Sequence, residues 1–311
     1  MNLTFDFAFE GFRIIRERPK LIAFWGAITL FGYGVMSLIM VQVAGPELVA
    51  FNTMVVNSST MAAPKFDQAY MAQMTQQILL AGVFCLPVYL LMTSVLVCAI
   101  CRVSLGETND RLGFLAFGVQ EVRMIAVRAA TLALLMGLFA GICVVGGIIG
   151  LLASGASPQA ATGVQTLSVI VGFGTAAWLG LRLSLNGAQS FETRRMDILG
   201  SFAMTNERFW SLFTGYATAM ALAVVVRFLC DKIIEAVQVL SLGLKVTGDM
   251  IMPDLTNLTT FLTPASVIAL VLTFAFVAPL MAAIQLGAPV AAYRALRGKV
   301  KPQKVEEKAA G

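Results

Sequence analysis

The chain has 311 residues, of which 58% are hydrophobic and 13% are charged, and its net charge is +5. Soluble domains carry about 25% charged and about 45–50% apolar residues, so the composition excludes an ordinary soluble protein. The sequence contains no histidine, which excludes Ser-His-Asp and Cys-His catalytic triads and histidine-ligated metal or haem sites.

The first predicted element is a short amphipathic helix over residues 4–18. Phe5, Phe9, Phe12 and Ile15 recur at helical spacing, whereas the charged residues fall between them. Such a helix is expected to lie along the cytoplasmic interface, with its phenylalanine stripe at the acyl boundary.

Six apolar runs follow, each near the roughly 20 residues that a helix needs to cross a bilayer. They predict an all-α polytopic membrane protein with six transmembrane helices. Residues 1–297 are expected to form a single membrane domain, and the charged residues 298–311 a disordered cytoplasmic tail. The predicted spans are about 20–43, 77–101, 127–153, 164–185, 210–231 and 264–291.

The basic residues predict the topology. Of the 22 Lys and Arg residues, all but Lys65, Arg227, Lys232 and Lys245 fall on the side of the membrane that holds the N-terminus. Cytoplasmic segments carry this excess. We therefore expect a multi-pass protein of the bacterial inner (cytoplasmic) membrane with both termini cytoplasmic, and no nucleic-acid partner.

Two further stretches resemble the N-terminal one. Residues 112–128 and 198–214 each place an amphipathic, aromatic-containing stretch before an odd-numbered span, and Phe117 and Phe202 each stand six residues before an arginine. This pattern predicts three helix-hairpin repeats, each an interfacial helix followed by two spans. The alternative is that it reflects only the arginines and aromatic residues common in cytoplasmic loops.

The fifth predicted span ends in a polar cluster of Arg227, Asp231, Lys232 and Glu235. Their spacing of three or four residues lets these side chains pair along one helix. Charges at membrane depth are costly and mark transport or gating sites. A span that begins near Trp210, however, reaches the opposite interface near Asp231, where the cluster is hydrated. Both interpretations stay open.

The third predicted span is rich in glycine, and small residues at this spacing let helix backbones approach closely. We expect this helix to be central or to pack against a partner chain, with a glycine kink or lipid groove as the alternative. The glycines concerned are Gly137, Gly141, Gly146, Gly147 and Gly150.

No cofactor or metal site is expected. All five cysteines fall in apolar runs, where a cysteine behaves as a small hydrophobic residue. Cys98 and Cys101 form a C-x-x-C pair, but two thiols are too few for a structural zinc site.

Residues 182–213 read RLSLNGAQSFETRRMDILGSFAMTNERFWSLF. This segment resembles a set of poorly characterised bacterial six-span inner-membrane proteins, including the membrane domain fused to glycerophosphoryl diester phosphodiesterases. The resemblance implies an integral inner-membrane protein. It does not imply phosphodiesterase activity, because no such catalytic domain is present in the sequence. The matching positions are Arg182, Glu192, Ser201 and Trp210.

Two functions are compatible with these features. The first is a non-enzymatic membrane protein that binds lipid, another membrane protein or a second copy of itself through its glycine-rich and interfacial helices. The second is a small transporter or permease, in which Arg227, Asp231, Gln285 and proline kinks converge on one cavity. An intramembrane enzyme is disfavoured, because the spans lack histidine and paired aspartates.

Overall fold

A computed structural model describes residues 5–58, 68–106, 111–155, 157–196, 198, 200–242 and 255–297. Within this part of the chain the regular structure is helical and no strand is present. Six of its helices are long and apolar enough to cross a membrane, which confirms the predicted all-α polytopic fold. The predicted tail, residues 298–311, lies outside the described residues.

A short 3-10 helix, Phe5–Phe9, precedes the first α-helix. The sixth span consists of α10, a π-helical turn (Leu272–Val277) and α11. The α-helices in chain order are α1 (Glu10–Glu17), α2 (Leu21–Ser58), α3 (Gln68–Leu105), α4 (Val119–Ser154), α5 (Pro158–Arg182), α6 (Asn186–Thr193), α7 (Gly200–Thr205), α8 (Phe209–Leu242), α9 (Leu258–Phe261), α10 (Pro264–Val271) and α11 (Ala278–Arg297).

The spanning helices extend beyond the apolar runs that predict them. Helix α2 shows why: the run ends near residue 43, where Ala44 leaves helical geometry (φ −142°) two residues before Pro46. The chain then resumes as helix to Ser58. Because a hydropathy pattern detects only the part of a helix that is apolar, it misses such extensions.

The hydrophobic core lies at one end of the bundle, where α1 meets the ends of α3 and α11. Trp25, Leu96, Ile100 and Ala288 are almost completely buried in it. We call this end the basic end. Its arginines include Arg13, Arg16, Arg102, Arg182 and Arg294.

The third and fourth spans lie at the edge of the bundle. Only 6% of the most apolar stretch of each is buried, against 56% for the second span. Helices α4 and α5 pack mainly against each other. The expectation that the glycine-rich third span is central was therefore wrong, because its glycines permit close contact with one neighbour and do not fix its place in the bundle.

The π-helical turn joins the sixth span to the first. The hydroxyl of Thr29 donates a hydrogen bond of 2.6 Å to the carbonyl oxygen of Phe274. A π-turn breaks the regular ladder of helical hydrogen bonds, so Thr29 satisfies a carbonyl group in an otherwise apolar region. Gly26 lies against the carbonyl group of Ala275, where a Cβ atom would collide with it. This approach is therefore possible only for glycine.

The three predicted interfacial stretches have different outcomes. The first contains α1, and residues 198–214 contain the short helix α7. Residues 112–128 do not form a separate α-helix: a short 3-10 helix, Arg111–Phe114, is followed by α4, which begins at Val119 and continues unbroken through that stretch into the span. The second of the three predicted units therefore lacks its interfacial helix, and α6 is a short helix that the pattern did not predict.

A buried ion pair fixes the connection between α3 and α4. The guanidinium of Arg102 pairs with Glu121, and the two side chains are 9% and 1% exposed. Arg102 also donates to the carbonyl oxygen of Phe114 (2.9 Å) and to the Gln120 side chain (3.1 Å). Glu121 accepts a hydrogen bond of 2.8 Å from the Gly118 N–H at the start of α4. The charges are thus compensated and hydrogen-bonded where water is excluded.

We predict that Glu121→Gln destabilises the protein by about 3–5 kcal/mol, because it leaves the Arg102 charge buried without a counter-charge. Glu17→Gln, which removes an exposed carboxylate of α1, is the matched control and is expected to have little effect. Thermal unfolding in one detergent compares the two variants. Equal midpoints for both would show that the buried pair does not stabilise this end.

Candidate functional site

Glu10 connects three helices at the basic end. Its carboxylate is 4% exposed, and its Oε1 lies 2.6 Å from Arg13 Nη2 and 3.5 Å from Arg294 Nη2. Arg294 also donates a hydrogen bond of 2.8 Å to the carbonyl oxygen of Ser104, near the end of α3. This network joins α1, α3 and α11, and it places the first and last described helices at the same end of the bundle.

Glycines allow α1 to lie directly against α11. A Cβ atom on Gly287 would lie only 3.1 Å from the backbone nitrogen of Gly11. A Cβ atom on Gly11 would collide with the backbone of Ala283. Because the two backbones are in contact, the side chain of Glu10 is brought beside Arg294.

An aromatic contact fixes the residues before α1. The Phe7 ring lies over Gly215 of α8, where a Cβ atom would collide with it. The ring is also edge-on to Tyr216, with 5.8 Å between the centroids. Phe7 therefore attaches the N-terminal segment to the fifth span as well as to the sixth.

The predicted phenylalanine stripe faces away from this contact. Phe9 is 48% exposed, and Phe12 and Ile15 are half-buried. The side chain of Phe5 lies outside the described residues. The buried face of the segment includes Phe7 and Ile14 instead, so part of the stripe stays available to lipid while the opposite face packs on protein.

A cavity of about 680 Å³ opens between residues 6–16, which we call the N-terminal segment, and the end of α11. Volumes of about 300–1,000 Å³ are typical of small-molecule sites. The lining combines apolar and charged groups. It includes the aromatic rings of Phe9 and Phe12, the carboxylates of Asp6 and Glu10, and the guanidinium groups of Arg13, Arg16 and Arg294.

Among the three arginines that line this cavity, Arg13 and Arg294 pair with Glu10, whereas Arg16 does not. It is exposed, and within the part of the chain that the structure describes it forms no hydrogen bond or ion pair. A guanidinium group presents five N–H donors and no acceptor, in a fork that matches two oxygens of a phosphate or carboxylate. The cavity therefore offers donors to an anion.

Arg182 occupies a second polar environment, among aromatic rings. Its guanidinium carbon lies 5.5, 5.1 and 5.5 Å from the ring centroids of Trp178, Phe202 and Phe209. The carbonyl oxygen of Arg182 accepts a 3.1 Å hydrogen bond from the hydroxyl of Ser201. These contacts fix the turn from α5 to α7.

Glu192 and Trp210, the other two positions that carry the resemblance, lie away from Arg182 and Ser201. Glu192 pairs with Arg297 and accepts a 2.7 Å hydrogen bond from the Tyr293 hydroxyl. Trp210 is 74% exposed at the start of α8. The structure thus joins Arg182 to Ser201, whereas it links Glu192 to α11 and leaves Trp210 on the outer surface.

The polar cluster of α8 lies at the opposite end of the bundle. Arg227 pairs with Asp231 at 2.9 Å, and Lys232 pairs with Glu235 at 2.8 Å. At 1.5 Å per residue, Arg227 lies about 27 Å along the helix from Phe209, close to the roughly 30 Å of a hydrocarbon core. This placement favours a hydrated interface over the midplane. Gln285, by contrast, follows Ile284, which contacts α1 at the basic end.

The glycines of α4 divide into two groups. A Cβ atom on Gly146 would collide with Ser168 of α5, and one on Gly150 would lie 3.5 Å from Ala161. Nothing lies within 4 Å of such an atom on the other three, which are Gly137, Gly141 and Gly147. Contact between these three and a partner chain stays a prediction.

Within the described residues, no three His, Cys, Asp or Glu side chains are grouped so that they could hold a metal ion. Cys98 and Cys101 are completely buried in the core. Comparison with family models, curated proteins and solved structures finds no match for the chain. The resemblance to the membrane domain fused to phosphodiesterases therefore stays a prediction.

Sequence reasoning missed Glu10 and Glu121, because both look like polar residues on the exposed face of an amphipathic stretch. One signal was present in the sequence. It concerns Glu121, the one carboxylate between Asp110 and Glu192, which stands close to Arg123 and Arg128, whereas Glu10 lies between Asp6 and Glu17 and carries no such signal. Burial of a carboxylate is costly, and an arginine of another helix offsets that cost where it pairs with the carboxylate and hydrogen bonds complete the contact.

We predict that Gly287→Leu separates α1 from α11, because the new side chain occupies the place of the Gly11 backbone. Hydrogen exchange of residues 7–17, measured in lipid nanodiscs, is expected to accelerate at least tenfold, the factor that corresponds to about 1.4 kcal/mol of lost local stability. Gly82→Leu is the matched control, because a Cβ atom on Gly82 of α3 meets nothing within 4 Å. Unchanged exchange in Gly287→Leu would contradict this packing.

Proposed function

We propose that this integral membrane protein is a non-enzymatic lipid-binding protein of the bacterial inner membrane, with both termini in the cytoplasm. The proposed contact is made by the N-terminal segment and the end of α11. The observation that carries the proposal is the cavity between them, in which guanidinium groups and phenylalanine rings form one lining.

The position of the cavity supports a lipid ligand. Only residues 18–20 separate α1 from the first spanning helix, so Arg16 stays within about 17 Å of the start of that span even in a fully extended chain. Headgroups lie at this level of a membrane. Basic residues beside an amphipathic helix attract anionic headgroups, at roughly 1 kcal/mol for each Arg or Lys.

The transporter alternative receives less support. It requires Arg227, Asp231 and Gln285 to meet in one cavity, but Gln285 belongs to the basic end and the other two to the far end of α8. Three glycines of α4 have no neighbour within 4 Å of a Cβ position. A second membrane protein, or a second copy of the chain, is therefore a further proposed partner at this helix.

The test is native mass spectrometry of the protein released from nanodiscs after mild removal of bulk lipid. We expect at least one lipid to stay bound to each wild-type chain, and we expect Gly287→Leu to lose it while Gly82→Leu keeps it. If wild-type protein carries only the heterogeneous lipid of its surroundings, or if both variants behave alike, lipid binding at this cavity is wrong.

A further inference from the structure

We propose that the cavity between the N-terminal segment and α11 binds the phosphate group of an anionic phospholipid, through Arg13, Arg16 and Arg294. This inference rests on the proposed lipid-binding function and deepens it by naming the headgroup chemistry. It is carried by the distribution of charge among the residues that line the cavity, by the free donors among them and by the apolar walls.

The charge of the lining is positive. Its three arginines face two carboxylates, Asp6 and Glu10. Glu10 is buried and already paired with Arg13 and Arg294, so its charge is shared between two guanidinium groups. The positive charge left over, together with the unengaged Arg16, favours an anion in the cavity.

The N–H groups of the three arginines that are not used within the protein suit a phosphate group. Arg13 and Arg294 each direct one nitrogen to Glu10, and their side chains are still 44% and 41% exposed. Each keeps further N–H groups free, since a guanidinium has five. Glu10 thereby orients two of the three arginines before any ligand arrives, which lowers the entropy lost on binding.

The apolar walls distinguish a lipid from a free phosphate ion. Phe9, Phe12, Ala291 and Ala295 contribute to the same lining. A free phosphate ion gains nothing from these side chains, whereas the glycerol backbone and first acyl carbons of a phospholipid bury apolar surface against them. Asp6 is exposed and unpaired within the described residues, so its charge opposes an anionic ligand.

The experiment uses the full chain in nanodiscs of phosphatidylcholine that contain increasing fractions of phosphatidylglycerol. Native mass spectrometry counts the phosphatidylglycerol molecules bound to each chain. We expect Arg16→Gln to weaken this binding about fivefold, the usual effect of one arginine on binding to an anionic lipid, and Asp6→Asn to strengthen it. Arg195→Gln makes the same charge change at an exposed position between α6 and α7 and is expected to have little effect.

The outcomes separate this inference from the function on which it rests. Equal weakening by Arg16→Gln and Arg195→Gln, or weakening by Asp6→Asn, would overturn the phosphate site, since either would report general surface attraction. Retention of phosphatidylcholine without selection would overturn the headgroup assignment and leave lipid binding standing. Wild-type protein with no bound lipid would overturn both. Displacement of phosphatidylglycerol by inorganic phosphate alone would assign the site to the free ion.

Discussion

The contact between the backbones of α1 and α11 is the constraint on which the basic end depends. It exists because Gly11 and Gly287 have no side chain at the crossing point. With the two helices this close, Glu10 reaches Arg294, and Phe7 reaches the space over Gly215. The first and last helices of the described chain therefore close one packed unit, and the cavity is the gap that this packing leaves on its outer side.

Three carboxylates of the basic end follow one physical rule: a carboxylate away from water is placed beside an arginine. Glu10 lies beside Arg13 and Arg294, Glu121 beside Arg102, and Glu192 beside Arg297. Removal of charge from water is expensive, and paired, hydrogen-bonded geometry offsets the cost. Farther along the helices, the described polar groups include the hydroxyl of Thr29, which bonds to a backbone carbonyl.

The composition and the apolar runs were sufficient to predict the fold class, because the length of a spanning helix is set by the bilayer. They were not sufficient to predict the ends of the helices, as the continuation of α2 beyond Ala44 shows. They also could not place the glycine-rich α4, since the same spacing suits a central helix and a peripheral hairpin.

The candidate site was predictable only in part. The periodicity of Phe9 and Phe12 located the N-terminal helix and its outward face. The burial of Glu10 depends on a tertiary contact between residues nearly the whole chain apart, and no local pattern reports such a contact. Tertiary contacts also divide the four positions of the resemblance. Arg182 and Ser201 are hydrogen-bonded in one turn, whereas Glu192 contacts α11.

The most direct measurement of the central claim is photo-crosslinking with phosphatidylglycerol that carries a light-activated group on its headgroup, followed by peptide mapping. The crosslinks are expected to concentrate on residues 6–16 and 291–295, the two segments that line the cavity. Crosslinks spread evenly over the arginines of the basic end, or confined to α4 and α5, would contradict it.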